Sequence, residues 1–160
     1  MLLLPGSVAL SAPRLSRLSA QISELDPFLK LNRVFFVYAV DAADDVDGNK
    51  LATLLQPGAS AEPHGDELGE REVVVVAPRF GTISPWASKA TNIAQNCGFE
   101  GVKRIERAIV YVVAGLHASP YAAEAKALLH DRMVEVALDS IEQLESLFTD
   151  IEPRALSTVP

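Results

Sequence analysis

The sequence predicts an α+β domain in which the order strand, helix, strand, helix occurs twice. The first observation is size: 160 residues, of which 49% are hydrophobic and 22% charged, suit one packed core. The second is an alternation between runs rich in β-branched residues and segments with apolar residues at helical spacing. The third is a stretch rich in Gly and Pro, residues 57–69, which predicts a surface loop between halves at about 1–56 and 73–138. We expect a mixed or antiparallel sheet packed against helices.

The first half begins with a short apolar strand at residues 2–4, which Pro5 follows. Ser11 has the residue type of a helix N-cap, and the helix that it begins ends at Pro27. Its apolar residues recur every three or four positions: Leu15, Leu18, Ile22 and Leu25. Residues 33–40 are β-branched and aromatic, which predicts a strand buried on both faces. A short helix is expected at residues 49–56.

The second half begins with four consecutive valines, residues 73–76, which predict a buried strand. Ser84 as N-cap and Pro85 at the first helical position predict a helix that ends at Gly98. Its expected apolar stripe consists of Trp86, Ala90, Ile93, Ala94 and Cys97. Alternation over residues 102–113 predicts a strand that is solvated at its start and buried at its end.

The end of the chain is less regular. A helix is expected over residues 120–129, and residues 131–138 either continue that helix or form a last strand. A short helix at residues 140–148 follows, and residues 151–160 have the composition of a linker.

Composition excludes several functions. A formal charge of −7 repels the phosphate backbone of nucleic acids, and no apolar run approaches the ~20 residues of a membrane helix. Cys97 is the only cysteine, which excludes an internal disulfide and fits a reducing cytoplasm. The acidic run at residues 41–49 lacks the ligands of a calcium loop and predicts a solvated turn before a helix. The three histidines lack metal-ligand spacing, so we predict no metal site and assign no catalytic residue.

One segment favours binding. Residues 78–89 combine a strand end, a Gly-containing turn and a helix N-terminus, whose N–H groups can hold an anion. Arg79, Thr82, Ser84 and Lys89 supply further donors for a phosphate or a carboxylate. The alternative is a well-capped helix whose Trp86 anchors the core and whose Lys89 is solvated.

Residues 78–99, PRFGTISPWASKATNIAQNCGF, closely resemble a segment in the N-terminal region of the large, single-chain phosphoribosylformylglycinamidine synthases of purine biosynthesis. The beginning MLLLPGSVALSAPRLSRL, the run RIER at residues 104–107 and LLHDRMVEVAL at residues 128–138 resemble that family as well. The resemblance therefore covers nearly the whole chain in order. Asn92 stands where the resemblance leads us to expect an aspartate, and this departure concerns no more than a local contact.

The resemblance implies a PurS-like domain at residues 1–150, with an interdomain linker beginning at 151–160. In that family a synthetase domain and a glutaminase domain follow, and together they convert formylglycinamide ribonucleotide, glutamine and ATP to the amidine, with Mg2+. The resemblance places ATP and Mg2+ in those domains and no cofactor in this one. It implies that this domain is non-catalytic, that it contacts the synthetase and glutaminase domains, and that it helps to assemble them and to channel ammonia. Arg79, Thr82, Ser84 and Lys89 are the expected contact residues. The alternative is a stand-alone adaptor that recruits partners through its sheet edges.

Overall fold

The computed structural model describes residues 1–55 and 72–149, and both the loop predicted at 57–69 and the linker predicted at 151–160 lie outside these ranges. Nine regular elements and a 3₁₀ helix alternate along the described chain. In order they are β1 (Leu2–Val8), α1 (Ala12–Leu25), β2 (Lys30–Ala42), α2 (Gly48–Leu55), β3 (Val73–Pro78), α3 (Pro85–Asn96), β4 (Val102–Ala114), α4 (Ala122–Leu129), β5 (Glu135–Leu138) and the 3₁₀ helix (Glu142–Phe148).

The five strands form one antiparallel sheet in the order β1-β2-β4-β3-β5. The long strands β2 and β4 pair at its centre, with Lys30 opposite Ala114 and Ala42 opposite Val102. β1 pairs with the outer edge of β2, and β3 pairs with the outer edge of β4. β5 pairs with β3 and forms the edge of the sheet on that side. The predicted α+β fold with two strand-helix-strand-helix units is therefore confirmed.

The two faces of the sheet are both buried, but different elements cover them. On one face, strand residues such as Val34, Tyr38 and Tyr111 pack against the four α-helices. On the opposite face, Phe35 and Val37 pack against the 3₁₀ helix. Because successive side chains of a strand point to opposite faces, this double coverage explains the continuous apolar run of β2. The sequence-based prediction for this strand is confirmed.

Residues 131–138, which the sequence left open, form the edge strand β5 at Glu135–Leu138. The first strand is longer than predicted, because it continues through Pro5 to Val8 with a register shift. An edge strand tolerates a proline, since one row of its backbone groups has no partner strand to pair with.

Two predictions about burial were only partly correct. The apolar stripe of α3 is shifted: Ala87, Ala90 and Ala94 are buried, whereas Ile93 is 51% exposed and Cys97 is also exposed. Small alanines let the helix approach β4 closely, and that contact fixes its rotation. The start of β4 is less solvated than predicted: Lys103 is exposed, but Val102, Ile105 and Glu106 are buried, because β2 pairs with the whole length of β4 while α3 packs on its face.

Candidate functional site

The chain between β3 and α3 makes a tight turn beside the part of β4 that extends past β3. Gly81 adopts a φ of 76°, a conformation that glycine adopts without strain, and Thr82 donates from its N–H to the carbonyl of Arg79 at 3.2 Å. The turn ends at Ser84, whose Oγ accepts a hydrogen bond from the N–H of Ala87 at 3.0 Å. Ser84 is therefore the N-cap of α3, as the sequence predicted.

The carboxylate of Glu106 lies at the N-terminus of α3. Glu106 is fully buried, and it accepts hydrogen bonds from the backbone N–H of Ser84 at 3.2 Å and from its hydroxyl at 2.8 Å. Arg104 donates to the same carboxylate from Nε at 3.1 Å and from Nη2 at 2.6 Å. A helix N-terminus favours negative charge, and here the chain supplies that charge from its own strand.

Arg104 joins three segments of the domain. Besides Glu106, its Nη2 donates to the carbonyl of Thr82 at 2.6 Å, and its Nη1 donates to the carbonyl of Leu147 at 3.0 Å. The guanidinium also lies 5.5 Å from the centroid of the Phe148 ring. Strand β4, the turn before α3 and the 3₁₀ helix are thus fixed to one another by a single side chain. We call Ser84, Arg104 and Glu106 the buried network.

An apolar cleft of about 400 Å³ opens beside the buried network. Three apolar side chains at its border are largely exposed: Ile83 by 63%, Met133 by 76% and Val134 by 61%. Arg79 connects its two walls, because its N–H donates to the carbonyl of Val134 at 3.1 Å and its Nη1 to that of Met133 at 3.3 Å. The cleft is lined by Pro78, Arg79, Thr82, Ile83, Ser84, Pro85, Met133, Val134 and Glu135.

A smaller pocket of about 170 Å³ adjoins the apolar cleft and shares Pro78, Ser84 and Glu135 with it. Its wall includes Arg107, whose guanidinium carbon lies 4.4 Å from the ring centroid of Phe36 and 4.9 Å from that of Trp86. We call this the Arg107 pocket.

Trp86, which lines the Arg107 pocket, belongs to a stacked aromatic pair. Trp86 stacks on Tyr38 with the ring centroids 5.7 Å apart. Burial raises the pKa of Tyr38, while the charge of Arg107 opposes that rise. Trp86 therefore anchors α3 to β2, as the alternative reading of residues 78–89 required.

Three of the four predicted contact residues lie at one site, and the fourth lies apart from them. Arg79, Thr82 and Ser84 line the apolar cleft, whereas Lys89 is exposed on α3 and lines neither cavity. The hydroxyl of Ser84 already donates to Glu106 and accepts from Ala87. The role of these residues in binding stays a prediction.

Arg104, Glu106 and Arg107 are not among the residues that the sequence predicted for this site. A signal was present, because alternation places Arg104 and Glu106 on one face of a strand whose remainder is apolar. Opposite charges two residues apart on a buried strand face indicate a paired, buried interaction.

The acidic residues of the described chain do not gather into a metal site. Within residues 1–55 and 72–149, no group of three potential ligands lies close enough together to hold an ion. In the acidic turn, Asp47 accepts hydrogen bonds from the N–H groups of Asn49 at 3.1 Å and Lys50 at 3.2 Å. These bonds, led by that of Lys50, lower the pKa of Asp47, and the turn caps α2. No helix in the described ranges has the length and apolar character to span a membrane.

Fold and site together define a class: an α+β domain of two similar units, with a charged side chain buried by internal pairing and an apolar cleft beside it. A family model described as formylglycinamide ribonucleotide amidotransferase N-terminal matches residues 32–148. The match covers more than half of the chain, so the chain belongs to this family, and the resemblance read from residues 78–99 is confirmed. This is the N-terminal domain of an amidotransferase of purine biosynthesis, and other domains of that enzyme are its partners.

Proposed function

We propose that this domain holds the synthetase and glutaminase domains of the amidotransferase in register and helps to enclose the path of ammonia between them. The apolar cleft carries the proposal. A cleft of about 400 Å³ with three exposed apolar side chains at its border is typical of a surface that another part of a protein covers. The family match supplies the partner, because an N-terminal domain of this family has further domains of the same enzyme to contact.

The buried network supports a structural role for the polar residues at this site. The carboxylate of Glu106 and the hydroxyl of Ser84 are engaged with each other and with Arg104 and α3. We therefore assign the chemistry of this ATP-dependent ligase, with its ATP, Mg2+ and glutamine hydrolysis, to the other domains. We place no cofactor in this domain, and we place the enzyme in the cytoplasm.

A channel for ammonia needs a wall that excludes water, because protonation to ammonium removes the lone pair that attacks the substrate. The central strands supply such a wall, since Val37 and Val110 on one face and Val40 and Ile105 on the other are almost completely buried. No catalytic side chain is needed for this function.

The experiment changes the apolar cleft in the full-length enzyme. Met133→Lys introduces a charge at the cleft border, and Phe28→Lys introduces the same charge at an exposed phenylalanine that lines neither cavity. We expect Met133→Lys to lower glutamine-dependent turnover about tenfold, the effect of roughly 1.4 kcal/mol of lost docking energy. Turnover with added ammonia should change less than twofold, because ammonia from solution bypasses the channel.

Equal loss of both activities in Met133→Lys would place the defect in the synthetase reaction and contradict the channelling role. Unchanged glutamine-dependent turnover would show that the apolar cleft is not an interface. Ser84→Ala and Lys89→Ala test the predicted contact residues in the same assay. If glutamine-dependent turnover and assembly stay unchanged, these two residues make no functional contact.

A further inference from the structure

We propose that Arg107 recognises a carboxylate side chain on a segment of another domain of the same enzyme, and that an apolar side chain of that segment fills the adjoining cleft. This inference rests on the proposed docking function and names the residue that gives the docking its specificity.

The guanidinium of Arg107 is held by aromatic rings but has unused hydrogen-bond donors. Phe36 and Trp86 lie 4.4 and 4.9 Å from it, and their faces attract the positive charge without accepting its directional bonds. Within residues 1–55 and 72–149, it makes no ion pair and no side-chain hydrogen bond. A guanidinium carries five N–H donors in a planar fork, and half-burial removes part of its water.

Arg104, three residues earlier in the same strand, has hydrogen-bond partners within the domain. Its guanidinium donates to Glu106 and to the carbonyls of Thr82 and Leu147. Both arginines belong to β4, but the side chain of Arg104 is hydrogen-bonded within the domain, whereas Arg107 lines a pocket. The difference indicates that the partner of Arg107 comes from outside the described fold.

The charge in the Arg107 pocket favours a carboxylate over a phosphate. Glu135 also lines the pocket, and its Oε2 accepts the N–H of Asp131 at 2.8 Å rather than pairing with Arg107. Its negative charge repels a phosphate dianion more strongly than a monoanionic carboxylate. A carboxylate also matches the guanidinium fork through two parallel hydrogen bonds. A volume of about 170 Å³ is sufficient for the end of one acidic side chain.

The continuity of the two cavities favours a protein segment over a free ion. The Arg107 pocket and the apolar cleft share Pro78, Ser84 and Glu135, so one segment can occupy both. The exposed side chains of Ile83 and Met133 have no function for a small anion, whereas an apolar side chain next to the acidic one would bury them. Interface sites commonly combine an apolar anchor with an arginine-centred polar contact.

The experiment compares Arg107→Gln with Lys103→Gln in the full-length enzyme. Lys103 lies on the same strand, is exposed, and loses the same charge. Hydrogen exchange of the segments 78–86 and 130–136 and the ratio of glutamine-dependent to ammonia-dependent turnover are measured in both variants. We expect Arg107→Gln to speed exchange and lower the ratio by about tenfold, the loss of one charge-assisted hydrogen-bonded contact. Lys103→Gln should change neither measurement.

Arg107→Lys keeps the charge and the apolar stem but loses the planar fork, so we expect its exchange rates and its turnover ratio to lie between those of the parent chain and those of Arg107→Gln. This variant separates docking from folding, because it leaves the aromatic rings covered. If Arg107→Gln matches Lys103→Gln while Met133→Lys still lowers the turnover ratio, the docking function holds and the role of Arg107 is wrong. If neither change has an effect, both proposals are wrong. A higher KM for the ribonucleotide substrate, with unchanged exchange and turnover ratio, would identify the substrate phosphate as the anion and overturn the carboxylate proposal.

Discussion

The hydroxyl of Ser84 donates a hydrogen bond of 2.8 Å to the buried carboxylate of Glu106, so that the N-terminus of one helix and the middle of a central strand are joined. The same hydroxyl accepts from the N–H of Ala87, and the same carboxylate pairs with Arg104. One serine therefore caps the helix and satisfies a buried charge. This double use links the stability of α3 to that of β4.

Replacing Glu106 by glutamine should destabilise the chain strongly. The variant keeps the shape of the side chain but leaves the guanidinium of Arg104, only 20% exposed, without its counter-charge. We expect a loss of about 3 kcal/mol in the free energy of unfolding, measured by urea denaturation. Glu100→Gln removes an exposed charge and should cost less than about 0.5 kcal/mol. Similar midpoints for the two variants would mean that the buried network contributes nothing to stability.

The two helix caps of the repeated units should respond differently to alanine. Ser84 makes a side-chain capping bond, whereas Ser11, in the equivalent place before α1, makes none. Ser84→Ala should therefore cost about 1–2 kcal/mol and Ser11→Ala a few tenths. Thermal unfolding of both variants checks this difference. Equal shifts in Tm would show that the capping bond is not the source of the effect.

Gly6 should tolerate no side chain, although it lies near the edge of the sheet. A Cβ at this position would lie 2.6 Å from the Cβ of Phe36 and would also meet its carbonyl oxygen, on a strand that cannot move aside. We expect Gly6→Ala to cost about 1–3 kcal/mol in urea denaturation.

Gly48 offers the matched control for Gly6. At the first position of α2, an added Cβ would meet only Leu4 at an ordinary 3.5 Å. Gly48→Ala should therefore be neutral or stabilise the chain by up to about 1 kcal/mol. If Gly6→Ala were as stable as Gly48→Ala, the result would contradict the close contact between β1 and β2 at Phe36.

Acid should weaken the connection between α1 and the turn after β4. The hydroxyl of Ser119 donates to Asp26 at 2.6 Å and the N–H of Phe28 donates at 2.9 Å, and together they lower the pKa of Asp26 below its ordinary 3.8. A depressed folded-state pKa stabilises the fold above the ordinary value, and this stabilisation is lost as the pH falls through the folded-state pKa. We expect the free energy of unfolding to fall below about pH 4.

Ser119→Ala removes the largest cause of the lowered pKa and tests its assignment. An NMR titration of the Asp26 carboxyl group should give a higher pKa in this variant than in the parent chain. Asp26→Asn should reduce the acid sensitivity of the unfolding free energy. An unchanged titration in Ser119→Ala would assign the shift to the N–H of Phe28 instead.

Much of the fold could be predicted because its signals are local. The Ser84-Pro85 pair marked the start of α3, the four valines marked β3, and the apolar run of β2 indicated burial on both faces. The predictions that failed concern contacts between distant segments. Ile93 and Cys97 were wrongly included in the buried stripe of α3. The packing of its alanines against β4, rather than the apolar pattern alone, decided which face of the helix is buried.

The candidate site was half predictable for the same reason. Residues 78–89 were identified as a turn and helix N-terminus suited to an anion, but the anion at that terminus is Glu106, which follows Ser84 by 22 residues. Nothing in the turn itself specifies which carboxylate fills the position. The Arg107 pocket likewise brings together residues from β2, β3, β4, the start of α3 and the start of β5.

The sequence by itself determined most of the elements and their repeated order, because alternation, capping and turn formation act over a few residues, and the resemblance of residues 78–99 indicated the family. Only the tertiary structure decided which charges are buried and which remain available. β4 runs past the end of β3, and that offset places Glu106 against Ser84 and opens Arg107 towards the cleft. Charged residues of one strand thus acquire opposite roles through the order and register of strand pairing, which depend on contacts between segments far apart in the chain.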